Sequence, residues 1–529
     1  MTPNKPVLFF DGDCGFCRRW IERWREITGN ALDYAPSEKP ESSVILIDVD
    51  GKTFRGAEAV FRSLALSPSH RWLSWTYYRL PGVKLVSEAL YRLVASHRRF
   101  FSAIIRPSSY STAQFFFLRG MGFVYFIAFA SLGVQILGLI GSNGILPTQS
   151  GVSDSMLQLL CWGGVVSSVL VTFGVLPALF LFLNWVFYLS LVHLCGPFLS
   201  FQWDALLLEA GFLAIFLVPQ SVVIRFLLKL LLFRLMFFSG FVKLAFGDPV
   251  WKNLTAMQFY YETQPLPPWT AWYAHHGSAS FHTASCLFVF AVELIVPFFI
   301  FFPERIRHVA AAILICLQLL IISTGNYCFF NLLTLLLCLL LLEDSAWRKK
   351  LKSPKARDWP WPITGAVGVV VILMTFGALR VLEPLKLVNR YGLFANMTTE
   401  RPEIILEGSE DGKNWLTYDF KYKVGDIQRK PVFVAPYQPR LDWQMWFAAL
   451  GSHKQNGWFI RLGEKILEGS PDVLRLLEKN PFPDRPPRYL RALVYDYHFT
   501  NPAERKETGA WWRRELKGLY CPVLERRLV

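Results

Sequence analysis

Hydrophobic and polar positions change their period twice along the chain. At the N-terminus, short apolar runs alternate with turn residues. The pattern predicts a strand over Pro6–Phe10, a helix over Cys14–Ile27 and a strand over Ala31–Ala35. Strands at Val44–Asp48 and Lys52–Arg55 follow, joined by an Asp50-Gly51 turn, and then a helix over Ala57–Leu66. From about Phe115 to Leu382 the pattern becomes long and apolar. Nine segments stand out, at about 115–140, 157–174, 177–195, 204–219, 222–245, 283–303, 307–323, 326–342 and 361–382. Three of them are short, so eight or nine spans are expected. Beyond residue 390 strand-like alternation returns. Arg401–Trp415 reads as a strand, an Asp411-Gly412 hairpin turn and the start of a second strand through Tyr422. A helix is expected at Pro471–Glu478 and a strand at Tyr495–Phe499.

Composition turns this pattern into a class. The 529 residues are 53% hydrophobic, 16% aromatic and only 18% charged, which excludes a string of soluble domains. The net charge of +15 raises the question of nucleic acid. Lys and Arg cluster beside the apolar segments instead, as topology signals and headgroup contacts do, and no basic-aromatic nucleic-acid motif occurs. With the N-terminus inside, the inner loops hold Arg225 and Lys229, then Arg305 and Arg307, then the run from Arg348 to Arg357. The outer loops Gly141–Met156 and Thr324–Asn326 hold no Lys or Arg, and Gly247–His282 holds only Lys252. This predicts a cytoplasmic N-terminus and a C-terminal domain on the far side. No cleavable signal peptide precedes the first strand.

The expected architecture is a polytopic α-helical membrane protein with a soluble domain at each end. Residues 1–105 form a small thioredoxin-like α/β domain and 112–382 a membrane domain of about nine helices. Residues 390–529 form a mainly β, sandwich-like domain. Partners implied are the lipid bilayer and a protein client or redox partner. Oligomeric state is left open.

The legible chemistry is Cys14-Gly15-Phe16-Cys17, a C-x-x-C that opens a helix. The helix N-terminus favours a thiolate on the first cysteine. Asp11 and Asp13 oppose that thiolate unless they point away or take a proton from Cys17. A phosphatase of the haloacid-dehalogenase type also places Asp-x-Asp after a strand, but needs Thr or Val where Gly15 stands. A zinc site needs a second ligand pair, which is absent nearby. A catalytically silent pair remains an alternative.

Phe10-Asp11-Gly12-Asp13-Cys14 with Cys17, Arg55-Gly56-Ala57-Glu58-Ala59 and Tyr91–Arg98 resemble the DCC family of thiol-disulfide oxidoreductases. The resemblance implies that Cys14 attacks and Cys17 resolves. Pro40 stands roughly where thioredoxins carry a cis-proline.

A second resemblance covers about 112–529. Its motifs are Gly141–Pro147, Leu207–Phe212, Phe233–Phe237, Tyr261–Pro267, Thr324–Tyr327, Pro436–Phe447, Asn480–Phe482 and Trp511–Glu515. They are similar to the lipase maturation factor family, whose animal members assist folding of secreted lipases in the endoplasmic reticulum. The N-terminal fusion departs from the animal pattern and suggests a bacterial inner-membrane protein, with the C-terminal domain periplasmic. A shorter likeness, Gly240–Leu244, resembles the vitamin K-dependent carboxylase superfamily. It would make Lys243 a base in a membrane enzyme acting on a lipid or quinone-like substrate.

Charges within spans are costly and face polar interiors. Arg234 and Lys243 are therefore expected to meet Asp204, Glu209 or Glu293, as structural pairs or as a pocket. In the aromatic stretch between the fifth and sixth segments, Tyr261, Glu262, His275 and His276 are candidates for an outer-face client site. An interfacial aromatic belt is the competing reading. No metal or cofactor is expected. No nucleophile–base constellation appears in the C-terminal domain, where His453 and His498 stand alone.

Overall fold

The computed structural model describes residues 4–37, 43–98, 109–148, 151–217, 221–348 and 359–526. Pro40 and residues 349–357 of the basic inner loop lie outside the described residues.

The N-terminal sequence folds as a four-stranded sheet in the order β2-β1-β3-β4. Its strands are β1 (Val7–Phe10), β2 (Asp33–Pro36), β3 (Ile45–Ile47) and β4 (Thr53–Arg55). β1 runs parallel to β2, as the helical crossover Gly15–Thr28 requires. The β3–β4 hairpin is antiparallel and turns at Asp50-Gly51. Leu8, Phe10, Ile21, Leu32, Leu46 and Ala59 form its core. Burying these apolar side chains between sheet and helices is the main force holding a domain this small.

The nine apolar segments all contain helices, but they are not equal. Five are long and apolar enough to cross a membrane by length and composition: Ser111–Gly133, Asp154–Phe173, Pro177–Leu199, Ala279–Phe301 and Glu304–Thr324. Gln202–Ile215 has 14 residues and rises only ~21 Å, short of a ~30 Å hydrocarbon layer. Phe330–Leu339 and Trp361–Thr375 are also short. Val222–Ala245 is long enough, with 24 residues, but carries Arg225, Lys229, Arg234 and Lys243. The Ala279–Phe301 span is not regular throughout. It passes from α-helix into a π turn at Ala291–Ile295 and then into a 3-10 segment.

The C-terminal region joins these helices in one compact unit, Thr112–Leu217, Ile224–Leu342 and Val370–Val529. Its sheet is antiparallel. β5 (Pro402–Ser409), β6 (Leu416–Phe420), β7 (Leu477–Lys479), β8 (Tyr489–Phe499), β9 (Trp512–Leu519) and β10 (Leu524–Glu525) run in the order β10-β8-β5-β6-β7, with β9 also on β8. The β5–β6 hairpin turns at Asp411-Gly412, where Gly412 has φ 71° and Asp411 accepts the amides of Lys413 and Asn414. The helix expected through Glu478 stops at Leu474, because Leu477–Lys479 pairs with β6 instead.

Candidate functional site

Cys14 is the N-cap of the Gly15–Thr28 helix, and its Sγ accepts the Cys17 amide at 3.5 Å. Partial burial works against its thiolate. The backbone and side chain of Cys17, the Phe16 amide and the Arg98 charge outweigh that, so the thiol sits below its ordinary value. Cys17 moves the other way: burial, the hydrogen bond to Cys14 and the charge on Cys14 push it up to about 12. The pair is therefore asymmetric, with the half-buried Cys14 thiol below its ordinary value and the Cys17 thiol above it.

The two carboxylates that complicate this picture are separated. Asp11 makes an ion pair with Arg98 at 3.1 Å and accepts the Asp13 amide. Asp13 is exposed. Arg98, 87 residues downstream, thus offsets the acid beside the dithiol and adds positive charge near it. On the inner side of Cys17 lies an apolar cavity of about 390 Å³, walled by Phe16, Trp20, Trp24, Val60 and Tyr91. We expect Arg98→Ala to move the half-point of Cys14 alkylation by iodoacetamide to higher pH, since a cation favouring the thiolate is lost. Rates measured across pH 5–9 check this.

In the second unit the expected intramembrane charges find partners. Arg234 donates to Glu209 Oε1 at 2.7 Å and to the Asn389 carbonyl. Glu209 Oε2 also accepts the Asn389 amide and the Tyr391 hydroxyl, at 2.9 and 2.7 Å. Lys243 donates to Glu293 Oε2 at 2.6 Å and to the Ser239 carbonyl. The helices carrying this pair touch closely: a Cβ on Gly240 would stand 2.8 Å from the Glu293 Cβ. Gly240→Val should therefore cost about 1–3 kcal/mol through overpacking, read as a lower melting temperature in detergent.

Asp204 does not meet a span cation. It is held in a bidentate pair by Arg440, with Oδ1 and Oδ2 each at 3.0 Å. Arg440 also donates to the Tyr188 hydroxyl and the Phe198 carbonyl, and is fully buried. It belongs to the Pro436–Phe447 motif, so that motif clamps the C-terminal region onto the membrane helices. Two further motifs act in the same way. Arg401, also fully buried, donates to the carbonyls of Glu262, Gln264 and Pro265 and to Glu403. Asn326 donates to the carbonyls of Leu266 and Val432 and accepts the Val434 and Ala435 amides.

The outer-loop candidates are drawn into this junction. Glu262 accepts the Phe499 amide at 3.0 Å and contacts His498 at 2.8 Å and His275 at 3.3 Å. Burial lowers the His275 imidazole below its usual value, against the pull of Glu262. His276 bonds the Trp272 carbonyl, and Tyr261 is buried. Sequence reasoning missed Arg440, Arg401, Asn389, Tyr391 and Tyr188 as partners. The Asp204–Arg440 separation of 236 residues carries no local signal. Among the described residues no group of three or more His, Cys, Asp or Glu could hold a metal ion. All nine cysteines are unpaired.

Comparison with known proteins places this geometry among relatives. Residues 112–155 and 148–349 match the lipase maturation factor transmembrane domain, and 387–522 the lipase maturation factor C-terminal domain. Residues 8–103 match a DCC1-like thiol-disulfide oxidoreductase. Lipase maturation factor 2 of Gallus gallus is 34% identical, over 77% of this chain and 80% of its own. Lipase maturation factor 1 of Bos taurus is 32% identical, over 80% of this chain and 91% of its own. Lipase maturation factor 1 of Homo sapiens is 33% identical, over 77% and 87%. No solved structure matches.

Proposed function

The chain belongs to the lipase maturation factor family, and from that premise we propose that it matures exported, lipase-like proteins and exchanges disulfides with a protein partner through Cys14. The observation that carries the second half is the asymmetry of the dithiol. The Cys14 thiolate attacks a partner disulfide, a mixed disulfide forms, and the partner's other sulfur leaves as a thiolate. Two of the four influences that hold Cys17 protonated, its hydrogen bond to Cys14 and the Cys14 charge, are then gone, leaving burial and the Asp11 charge. Cys17 gives up its proton more readily, attacks Cys14 and closes the Cys14–Cys17 disulfide. The partner leaves reduced by two electrons. The apolar cavity beside Cys17 would take an unfolded or hydrophobic segment of that partner.

The domains proposed are 1–105 for exchange, 112–382 for the membrane and 390–529 for the outer face. The run of basic residues supports a cytoplasmic dithiol with the C-terminal region on the far side of the membrane. On this reading the Glu262, His275 and His498 junction, with Tyr261 and His276 nearby, orients the surface that meets the client. The test is co-expression of a secreted lipase with the full chain in a host lacking any such factor. Active secreted lipase should rise with the wild-type chain. No rise from a stably inserted chain would overturn the client role.

A further inference from the structure

We propose that the cavity beside Lys243 and Glu293 binds a single-chain lipid with an uncharged hydroxyl head. The cavity measures about 560 Å³ and lies within the second unit, among Met236, Trp251, Tyr260, Phe288, Leu317 and Phe330. That size is ordinary for a small-molecule site. Its walls include Phe281, Phe288 and Leu320, which are 45%, 37% and 51% exposed. They sit on Ala279–Phe301 and Glu304–Thr324, both helices apolar enough to span a membrane. The cavity therefore opens sideways between two spans, where an acyl chain is already at hand.

The polar end of the cavity selects the head. Lys243 and Glu293 are the only charged residues among its described lining, and they neutralise each other at 2.6 Å. A charged head would leave net charge in an apolar enclosure, which desolvation strongly disfavours. Of three ammonium donors, Lys243 uses one on Glu293 and one on Ser239. Glu293 engages Oε2. Lys243 also lies 5.3 Å from the centre of the Trp251 ring, and among the described residues its third N–H and Glu293 Oε1 take no hydrogen bond, a donor and an acceptor open to a hydroxyl head. The π turn at Ala291–Ile295 carries Glu293, and π turns recur at functional sites. Gln318 and Asn331, bonded to each other at 2.8 Å, supply a second polar point in the cavity lining.

The experiment uses the full-length protein in nanodiscs and a hexadecanol carrying a diazirine and an alkyne, beside the matching hexadecanoic acid. Photolabelled peptides are mapped by mass spectrometry. The alcohol should label Ala279–Phe290 and Glu304–Thr324 saturably, with unlabelled hexadecanol competing. Labelling should fall at least fivefold in Ala284→Trp, which fills the cavity from an exposed helix position. The acid should label at least fivefold less than the alcohol. Labelling that is unsaturable, spread evenly over all spans, or unchanged in a folded Ala284→Trp protein overturns the site. Equal or stronger labelling by the acid overturns the uncharged head. Should Ala284→Trp fail to insert, saturable competition on the wild-type chain decides alone.

Discussion

Arg440→Met should destabilise the membrane unit by about 3–5 kcal/mol, the usual cost of stripping one partner from a buried ion pair. Arg440 is fully buried and satisfies both oxygens of Asp204, itself 1% exposed. Removing the guanidinium leaves an uncompensated carboxylate whose remaining side-chain donor, among the described residues, is Tyr188 at 2.5 Å. Asp204→Leu should be damaging for the mirror-image reason. The double variant Arg440→Met with Asp204→Leu should recover much of the loss, because no charge is then buried. Melting of the wild-type protein and the three variants in one detergent forms a double-mutant cycle. Strictly additive losses would mean that the clamp is not an energetic unit.

Cys14→Ser should lower the rate of disulfide exchange by the full-length protein roughly a thousandfold or more, the scale of losing a nucleophile. A serine hydroxyl does not ionise at neutral pH and cannot accept a thiol's place in a mixed disulfide. Cys17→Ser should behave differently. Its first step survives, so one thiol equivalent reacts and turnover then stalls. Since Cys14 is held below its ordinary value, that first step should stay fast when the pH is lowered toward the shifted pKa and slow only below it. Stopped-flow reaction with a small aromatic disulfide, recorded across pH, separates the two variants. Equal rates for Cys14→Ser and Cys17→Ser would contradict the assigned order of attack.

The sequence made some of this legible and hid the rest for a physical reason. Strand and turn signals between Pro6 and Ala65 are local, and each expected element there lies within two residues of an observed one. The apolar segments are also local, so their helices could be read. Their lengths could not, because hydropathy does not show where Gly325 or Pro303 bounds a helix. Arg234 and Lys243 announced a need for acids, and Glu209 and Glu293 stood among the candidates. Asp204 was assigned to the same need, yet its partner lies in the C-terminal region. Arg401 and Arg440 looked like residues of a soluble domain. Their role appears only when strand β5 and the Arg440–Ala449 helix pack against the loops between spans.

The most direct test of the account is trapping with full-length Cys17→Ser in intact cells, quenched with acid and analysed by non-reducing gels and mass spectrometry. The account predicts mixed disulfides that run through Cys14, vanish with reductant and are absent from Cys14→Ser/Cys17→Ser. Adducts through another cysteine, or none from a correctly inserted protein, would contradict it.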